Sequence, residues 1–464
     1  MSAAASAARL PWLPSIAAGA LLGVFYTLSP LTTLLVPVLL VLVQSVGRTL
    51  SARERRWLYG LFAAALILRL AVIAGLFLSA TPDHPVATFF GDEEFFKNRS
   101  IWLRNIGLGV PISSADFIYA VEETGKSSYL FVLAYLSALV GDAPYGLHVA
   151  NTTVYLAGTL LIYRVVRPSY GRLVALGGLT LLLFLPSLFL WSISALKEPL
   201  YTFLAALELW CALYVARGER WYWCLAAAAA VLGLGVVLES LRKGGMLVAG
   251  IGMAGGLFAR FALRWPRTAV AAVLLLPVLA IGALRVPTVQ DRAMRVVKDA
   301  AIYHVGHVYT VGYSYRTLDD WYYIDPADIR TRMSEGDAVK FVVTAMASYL
   351  VQPLPWAIDS RSMLAYLPEQ MIWLVLAVLI PAGIVAGVRH DLVLTATLAA
   401  HGFVVMFIVA LTSGNVGTLV RHRALLLPYA IWLSALGAYH LILRAAGRSM
   451  VKPPLARGTL HGAC

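Results

Sequence analysis

Residues 53–80 read RERRWLYGLFAAALILRLAVIAGLFLSA, a basic cluster of three arginines followed at once by a long apolar run. A membrane-spanning helix needs about 20 mostly apolar residues. Clusters of Lys and Arg stay on the cytoplasmic side of the bilayer. The stretch therefore predicts a span over 57–80 that leaves the cytoplasm after Arg56.

The whole chain has the composition of this stretch. Of its 464 residues 60% are hydrophobic and 13% are charged, and the mean hydropathy is +0.77. A soluble domain keeps roughly a quarter of its residues charged, so lipid is the solvent for most of this chain. The apolar runs lack the period-2 alternation of outer-membrane barrel strands. We therefore predict an all-α, polytopic bundle of about 11–13 spans.

Apolar runs and basic clusters together predict one topology, in which every short Arg-rich loop is cytoplasmic. The membrane would be of the bacterial inner (plasma) type, with both termini in the cytoplasm and the first run retained rather than cleaved as a signal peptide. The predicted spans are two short ones within 11–46 that turn near Pro30, then 57–80, 145–165, 173–190, 199–216, 221–238, 245–262, 268–284, 370–388, 392–411 and 424–443.

This topology divides the chain into four regions. Residues 1–56 are an extra N-terminal apolar segment with a basic cytoplasmic loop, and 57–285 are a transmembrane core that includes the first outside loop at 81–144. Residues 286–368 form a long outside loop or lid, and 369–464 hold the C-terminal spans and a basic tail. Interfacial helices are expected in both outside loops, at 128–140 and 338–356.

Neither net charge nor cysteine content points to another class of protein. The charge of +13 does not indicate nucleic-acid binding, because Lys and Arg mark the ends of apolar runs instead of forming a stripe on a soluble domain. The three cysteines imply no disulfide framework.

An acidic cluster, Asp92-Glu93-Glu94, opens the first outside loop. The residues after it predict an amphipathic helix lying on the membrane. Its predicted apolar face carries Phe95, Trp102, Leu103 and Ile106, and its polar face carries Glu93, Lys97, Ser100 and Arg104. Carboxylates beside lipid are costly unless they have cationic partners or a task. A solvated loop with incidental acids is the alternative.

Basic residues stand in three short turns on the same predicted face. The turns contain Lys197-Glu198, then Arg242-Lys243, then Arg421-His422-Arg423. Arg and Lys suit phosphate, and a nearby carboxylate suits proton abstraction from a hydroxyl. Together they predict one lipid-facing site for a phosphate or pyrophosphate ester, although each turn alone fits interfacial anchoring or an ion pair equally well.

These features resemble the GT-C superfamily of membrane glycosyltransferases, which includes protein O-mannosyltransferases and lipid A aminoarabinose transferases. The resemblance covers about 57–444. Its motifs are Gly91-Asp92-Glu93-Glu94, Gly141-Asp142, Tyr163-Arg164, Pro186 through Trp191-Ser192 to Lys197-Glu198-Pro199, and Arg421-His422-Arg423 with Pro428. The chain departs from the pattern in its extra N-terminal segment and in Lys197-Glu198, where many relatives have an Asp.

The resemblance implies inverting transfer of a sugar from a polyprenyl-phosphate donor to a glycan, lipid or protein acceptor, in cell-envelope or exopolysaccharide assembly on the non-cytoplasmic face. Asp92 matches the family's general base, with Glu93 or Glu94 orienting it or acting as the base. The leaving phosphate would be held by Arg242, Lys243, Arg421, Arg423 and Lys197. Secondary candidates are Lys97, Arg104, Glu198 and His422.

The long outside loop would cover this site. Its aromatic residues suit sugar stacking or an interfacial belt equally well; they are Tyr303, Tyr309, Tyr313, Tyr315, Trp321, Tyr322 and Tyr323. His304 and His307 have no third ligand in view for zinc. Asp92 and Glu93 offer oxygen ligands for a divalent cation, with nothing further to support it, and no other cofactor is predicted.

Two alternative functions fit parts of the sequence. An O-antigen polymerase or ligase would use basic residues of the long loop, here Arg330 and Arg332, and would not need the acidic cluster. A lipid or sugar transporter places ionisable residues at mid-membrane, and Glu208 within a predicted span is the feature that favours it.

Overall fold

The computed structural model describes residues 12–81, 88–122, 127–140, 145–310, 316–318, 325–356 and 361–448. Within these ranges the chain forms 20 α-helices, numbered α1 to α20, and no β-strand. An isolated bridge between Arg316 and Asn415 is the one β-type pairing there. The predicted all-α class is confirmed.

Nine of the described helices are long and apolar enough to cross a membrane. They are α2 Pro30–Gly47, α3 Ala52–Leu78, α7 Gly146–Tyr170, α10 Glu198–Arg217, α11 Trp221–Leu241, α12 Gly245–Arg264, α13 Pro266–Leu284, α17 Arg361–His390 (from Tyr366) and α18 Leu392–Thr412. The number rises to eleven if each of two bent helix pairs is one span. This is the pattern of a multi-pass membrane protein, and the nine to eleven candidate spans of the described residues lie below or just reach the predicted 11–13.

Helix ends differ from the predicted spans where a cap lies outside the apolar run. The span predicted from residue 57 belongs to α3, which begins at Ala52 because the Ser51 side chain accepts a hydrogen bond from the Glu54 amide at 3.4 Å. Such an N-cap satisfies an amide that has no partner within the helix. The N-terminal run holds α1 Leu13–Leu28 and α2, which begins at Pro30 as predicted.

The two bent pairs are α8 Arg172–Phe184 with α9 Pro186–Ile193, at 58°, and α19 Val416–Arg423 with α20 Leu427–Ala445, at 70°. In the first pair Leu185 has an extended backbone before Pro186, because a proline disfavours helical geometry in the residue that precedes it. In the second pair α19 begins after Asn415, whose side chain accepts a hydrogen bond from the Thr418 amide at 2.7 Å. The bend makes α19 a separate short helix.

The chain divides into two compact units. Unit 1 comprises Met1–Ala157 and Trp191–Leu200, and unit 2 comprises Gly158–Leu190 and Tyr201–Cys464. In addition to its spans, unit 1 contains α4 Gly91–Gly107, α5 Ser114–Val121 and α6 Ser128–Val140; unit 2 contains α14 Pro287–Thr310, α15 Pro326–Arg332 and α16 Glu335–Val351.

The amphipathic helix predicted after the acidic cluster exists as α4, and two residues of its predicted polar face, Glu93 and Ser100, are buried within the protein. The buried residues of α4 are Glu93, Phe96, Arg99 and Ser100. Arg99 donates to the carbonyls of Ala120 at 3.2 Å and Glu122 at 2.5 Å, and so caps the end of α5. Buried polar groups are tolerated when they are hydrogen-bonded, and hydropathy alone does not register such partners.

Glycines bring helices of unit 2 close together. A Cβ atom at Gly383 of α17 would lie 1.8 Å from the Leu433 carbonyl oxygen of α20, and one at Gly437 would lie 2.2 Å from that of Leu379. A Cβ at Gly252 of α12 would lie 2.0 Å from the His401 ring of α18. Small residues at such crossings are typical of membrane helix packing.

Candidate functional site

The acidic cluster lies in the first turn of α4, in unit 1, and its three side chains differ in environment. Asp92 and Glu94 are exposed, whereas Glu93 is 1% exposed. Successive residues of a helix point about 100° apart, so one residue of the cluster faces the protein interior while its neighbours face outward. The structure thus separates three carboxylates that the sequence presents as equivalent.

Glu93 has hydrogen-bond partners from three parts of unit 1. Its Oε1 accepts from the amides of Phe89 and Phe90, both at 3.1 Å. Its Oε2 accepts from the Ala195 amide at 2.8 Å and lies 3.2 Å from Nε2 of His148 in α7. These contacts fix the start of α4 against α7 and the segment at 191–200. Asp92, one residue earlier, is held in place by them.

We expect the Glu93→Gln variant to be destabilised by about 1–3 kcal/mol, the usual cost of leaving buried polar groups without suitable partners. A glutamine amide nitrogen cannot accept the hydrogen bonds that one carboxylate oxygen accepts now. Thermal unfolding in detergent measures the effect. Glu94→Gln, the exposed neighbour in the same turn, is the matched control and should unfold as the wild type does. Equal stability of the two variants would contradict this role of Glu93.

The segment after Trp191, which belongs to the motif that runs from Pro186 to Pro199, packs against α4 and α7. Trp191 stacks on Phe90 with ring centroids 4.0 Å apart. Asn151 of α7 donates to the carbonyls of Ser194 and Leu196, both at 2.7 Å, and Tyr129 of α6 donates to the Ala195 carbonyl at 3.0 Å. Sequence reasoning missed Asn151, His148 and Tyr129, although polar residues inside apolar helices are a usable signal.

The remaining candidates of unit 1 lie around the same helix. Lys197 lies over the Phe96 ring, 5.9 Å from its centroid, and Glu198 is buried at the start of α10. Lys97 is half-buried, and Arg104 donates to the Asn105 side chain at 3.2–3.3 Å. Gly141 and Asp142 lie outside the described residues.

Unit 2 brings basic residues from three distant segments together. The turn between α11 and α12 carries Arg242 and Lys243, and Gly244 in this turn has a left-handed φ of 97°. Glu239 stabilises the turn, because its Oε2 accepts from the amides of Gly244 at 2.9 Å and Met246 at 3.1 Å.

The turn meets helix α14 through Lys243. Its Nζ donates to the Tyr303 hydroxyl at 2.5 Å and lies 5.0 Å from that ring's centroid. This hydrogen bond raises the pKa of Lys243. The sequence singled out Lys243 and Tyr303 for separate roles, and the structure pairs them.

His307 lies one turn after Tyr303 on α14. It connects this part of α14 with α18 and α19. Its Nδ1–H donates to the Thr412 carbonyl at 2.7 Å, and its ring lies edge-on to that of His422, with centroids 6.2 Å apart. Burial lowers the pKa of His307, and the charge of Arg242 lowers it further, against the effect of the bond to Thr412. We call Arg242, Lys243, His307 and His422, together with Arg421 next to His422 in α19, the basic cluster.

Arg423 differs from the rest of its motif. It is 4% exposed, and it donates to the Gln370 side chain and to the carbonyls of Tyr349 and Gln352, all at 2.7 Å. Its guanidinium also lies 4.7 Å from the Trp373 ring centroid. These bonds join the end of α16 to α17 and α19. Arg423 therefore has a structural role, because its bonds hold three helices together.

No protein-family model, curated protein or solved structure matches this chain. Its chemistry has to be inferred from its own residues. The acidic cluster belongs to unit 1 and the basic cluster to unit 2. Their predicted meeting at one lipid-facing site stays a prediction.

The features behind the alternative functions also have clear positions. Arg330 and Arg332 lie exposed on α15, where Arg332 pairs with Asp328 at 3.2 Å. Glu208 of α10 and His401 of α18 are both fully buried, with Oε2 and Nε2 2.6 Å apart. Among the aromatic residues of the long loop, Tyr313, Tyr315, Trp321, Tyr322 and Tyr323 lie outside the described residues.

Proposed function

We propose that this protein is an inverting GT-C-type glycosyltransferase, which moves a sugar from a polyprenyl-phosphate donor to an acceptor hydroxyl on the non-cytoplasmic face of the membrane. The observation that carries the proposal is the position of Asp92. It stands exposed in the first turn of α4, while the buried carboxylate of Glu93 fixes that turn through four partners. An exposed carboxylate on a fixed turn suits a general base.

The reaction divides the proposed roles between two groups of residues. Asp92 accepts the proton of the acceptor hydroxyl while the acceptor oxygen forms a bond to the anomeric carbon. The bond from that carbon to the phosphate oxygen breaks, and its electron pair leaves with the phosphate. Cations near the leaving group stabilise the charge that develops there. The basic cluster supplies them through Arg242, Lys243 and Arg421.

The direct test uses purified protein in nanodiscs with a panel of radiolabelled polyprenyl-phosphate sugars. We expect transfer, or slow hydrolysis without an acceptor, for at least one donor. Release of free polyprenyl phosphate in step with loss of label from the donor shows that the sugar–phosphate bond breaks. A complete absence of turnover across donors with different sugars and lipid lengths would overturn the proposal.

Donor binding should depend on Arg242. We expect Arg242→Gln to raise the KM for the donor by about 10- to 100-fold, the equivalent of one charge-assisted hydrogen bond. Initial rates at varied donor concentration measure the change.

The matched control for that experiment is Arg330→Gln, which removes an equally charged, exposed residue of α15. Under the proposal the control keeps the wild-type KM. A large effect of Arg330→Gln together with a normal Arg242→Gln would favour the polymerase or ligase function instead.

A transporter is the second candidate, and the buried pair of Glu208 and His401 is the observation that favours it. Chains of buried Glu and His inside membrane spans serve as proton relays in pumps and transporters. Movement of a lipid-linked sugar across liposomes by purified protein, without any glycosyl product, would support transport over transfer.

A further inference from the structure

His307 is the member of the basic cluster that the sequence did not connect with phosphate. It is half-buried on α14, between the Thr412 carbonyl of α18 and the His422 ring of α19. The side-chain amide of Asn415 donates to the His307 carbonyl at 2.8 Å and fixes this part of α14 against the start of α19. The ring is thus held in one place by three elements.

The bond to Thr412 determines which ring nitrogen carries the proton. A carbonyl oxygen only accepts hydrogen bonds, so Nδ1 of His307 is the protonated nitrogen. A neutral histidine with Nδ1–H presents a lone pair at Nε2. Phosphate oxygens are also acceptors, so neutral His307 has no hydrogen bond to offer a phosphate through Nε2. It can donate one only after Nε2 takes up a second proton.

The contact between His422 and Ser413 sets no such restriction. Its Nδ1 lies 3.2 Å from the Ser413 hydroxyl, which can donate or accept. His422 can therefore keep a proton on Nε2 while neutral. The bond to Thr412 therefore fixes the tautomer of His307, whereas the contact with Ser413 is compatible with either tautomer of His422.

We propose that His307 binds the phosphate of the lipid-linked substrate as an imidazolium, so that phosphate binding takes up one proton. This inference rests on the proposed function, because it assigns the basic cluster to a phosphate. The charged and titratable groups facing His307 are Arg242 from the α11–α12 turn, His422 from α19 and the buried His304 from its own helix. From α18 it meets the carbonyl of Thr412.

The direction of the pH effect follows from these neighbours. Without an anion, burial and Arg242 favour the neutral ring, and the pKa of His307 lies below its ordinary value. A phosphate offsets the charge of Arg242 and attracts the imidazolium, so the pKa rises on binding. Between these two pKa values binding takes up a proton, and the affinity increases as the pH falls.

The test measures affinity for farnesyl methyl phosphate, a phosphodiester with one negative charge throughout the range studied. Because the probe does not titrate, any pH dependence comes from the protein. We expect the wild type to bind it several-fold more tightly at pH 6 than at pH 8, since a pKa rise of about one unit changes the affinity by at most about tenfold. In His307→Gln the two affinities should be equal, since glutamine keeps a donor but does not titrate.

His440→Gln, which removes a histidine of α20 outside the cluster, is the control and should keep the wild-type ratio. A wild-type ratio of one, or an unchanged ratio in His307→Gln, overturns the inference. If the probe then still binds and Arg242→Gln abolishes binding, the phosphate site itself stands. Failure of the probe to bind at either pH overturns the phosphate site and this inference together.

Discussion

We expect replacement of Asp92 by asparagine to lower the rate of the proposed sugar transfer by about 100- to 10,000-fold, the usual contribution of a positioned general base. Asparagine has the size and polarity of aspartate, and the side chain is exposed, so we expect the variant to fold. Under the proposed function, the variant loses the carboxylate that takes the proton of the acceptor hydroxyl. The effect should fall on kcat, with little change in the KM for the donor, because the basic cluster is intact.

Glu94→Gln is the matched control for this variant. Glu94 is also exposed and lies in the same turn of α4, two residues along the chain. Initial rates for both variants and the wild type, at saturating donor, give the comparison. Loss of transfer in Glu94→Gln with a normal Asp92→Asn would assign the base to Glu94. Wild-type rates in both variants would contradict an acidic base in this cluster and would favour the polymerase or ligase function.

The membrane spans could be predicted because the signal for them is local. Transfer of an apolar run from water to lipid depends on the run itself, so the span predicted at 199–216 is α10 Glu198–Arg217 and the span predicted at 221–238 is α11 Trp221–Leu241. Errors occur at helix ends, where a cap such as Ser51 extends a helix beyond its apolar residues.

Buried polar contacts could not be predicted, because their partners are far apart in the chain. Glu93 meets His148, 55 residues away, and Ala195, 102 residues away. Arg69, inside the first span that the sequence defines, donates from Nε to the Ser192 hydroxyl at 2.8 Å and is fully buried. A pattern of hydrophobic residues places such side chains on the wrong face of a helix.

The environments of the basic residues in the candidate site could not be predicted from the sequence either. Arg421 and Arg423 look equivalent in sequence, yet residues two apart in a helix point about 200° apart. Arg421 is half-exposed, whereas Arg423 is buried and bonded to three neighbouring segments. From its spacing alone, His307 is only one of two histidines without a third ligand for zinc. Its position beside Arg242 and His422 depends on the packing of α14 against α18 and α19.

The second large effect concerns the buried pair in the spans of unit 2. We expect His401→Leu to destabilise the protein by about 3–5 kcal/mol, the cost of leaving one member of a buried pair without its partner. Glu208 is fully buried, and its Oε2 has His401 as partner at 2.6 Å. Leucine removes this partner and also the ring that stacks on Tyr429, with centroids 5.0 Å apart. Thermal and denaturant-induced unfolding in detergent measure the loss.

The double variant Glu208→Leu/His401→Leu separates the loss of the polar contact from the loss of packing. Once both polar groups are gone, no charge is left in an apolar span, and replacement of a buried pair by apolar residues is often neutral. We therefore expect the double variant to be more stable than His401→Leu alone, a non-additivity that a double-mutant cycle measures directly. A glycosyltransferase that uses Asp92 should keep its rate in this double variant, because the pair has no part in the proposed reaction. If the protein is a proton-coupled transporter, the double variant should fold equally well and lose transport. A stable double variant without transport would therefore assign the function to Glu208 and His401 instead of Asp92.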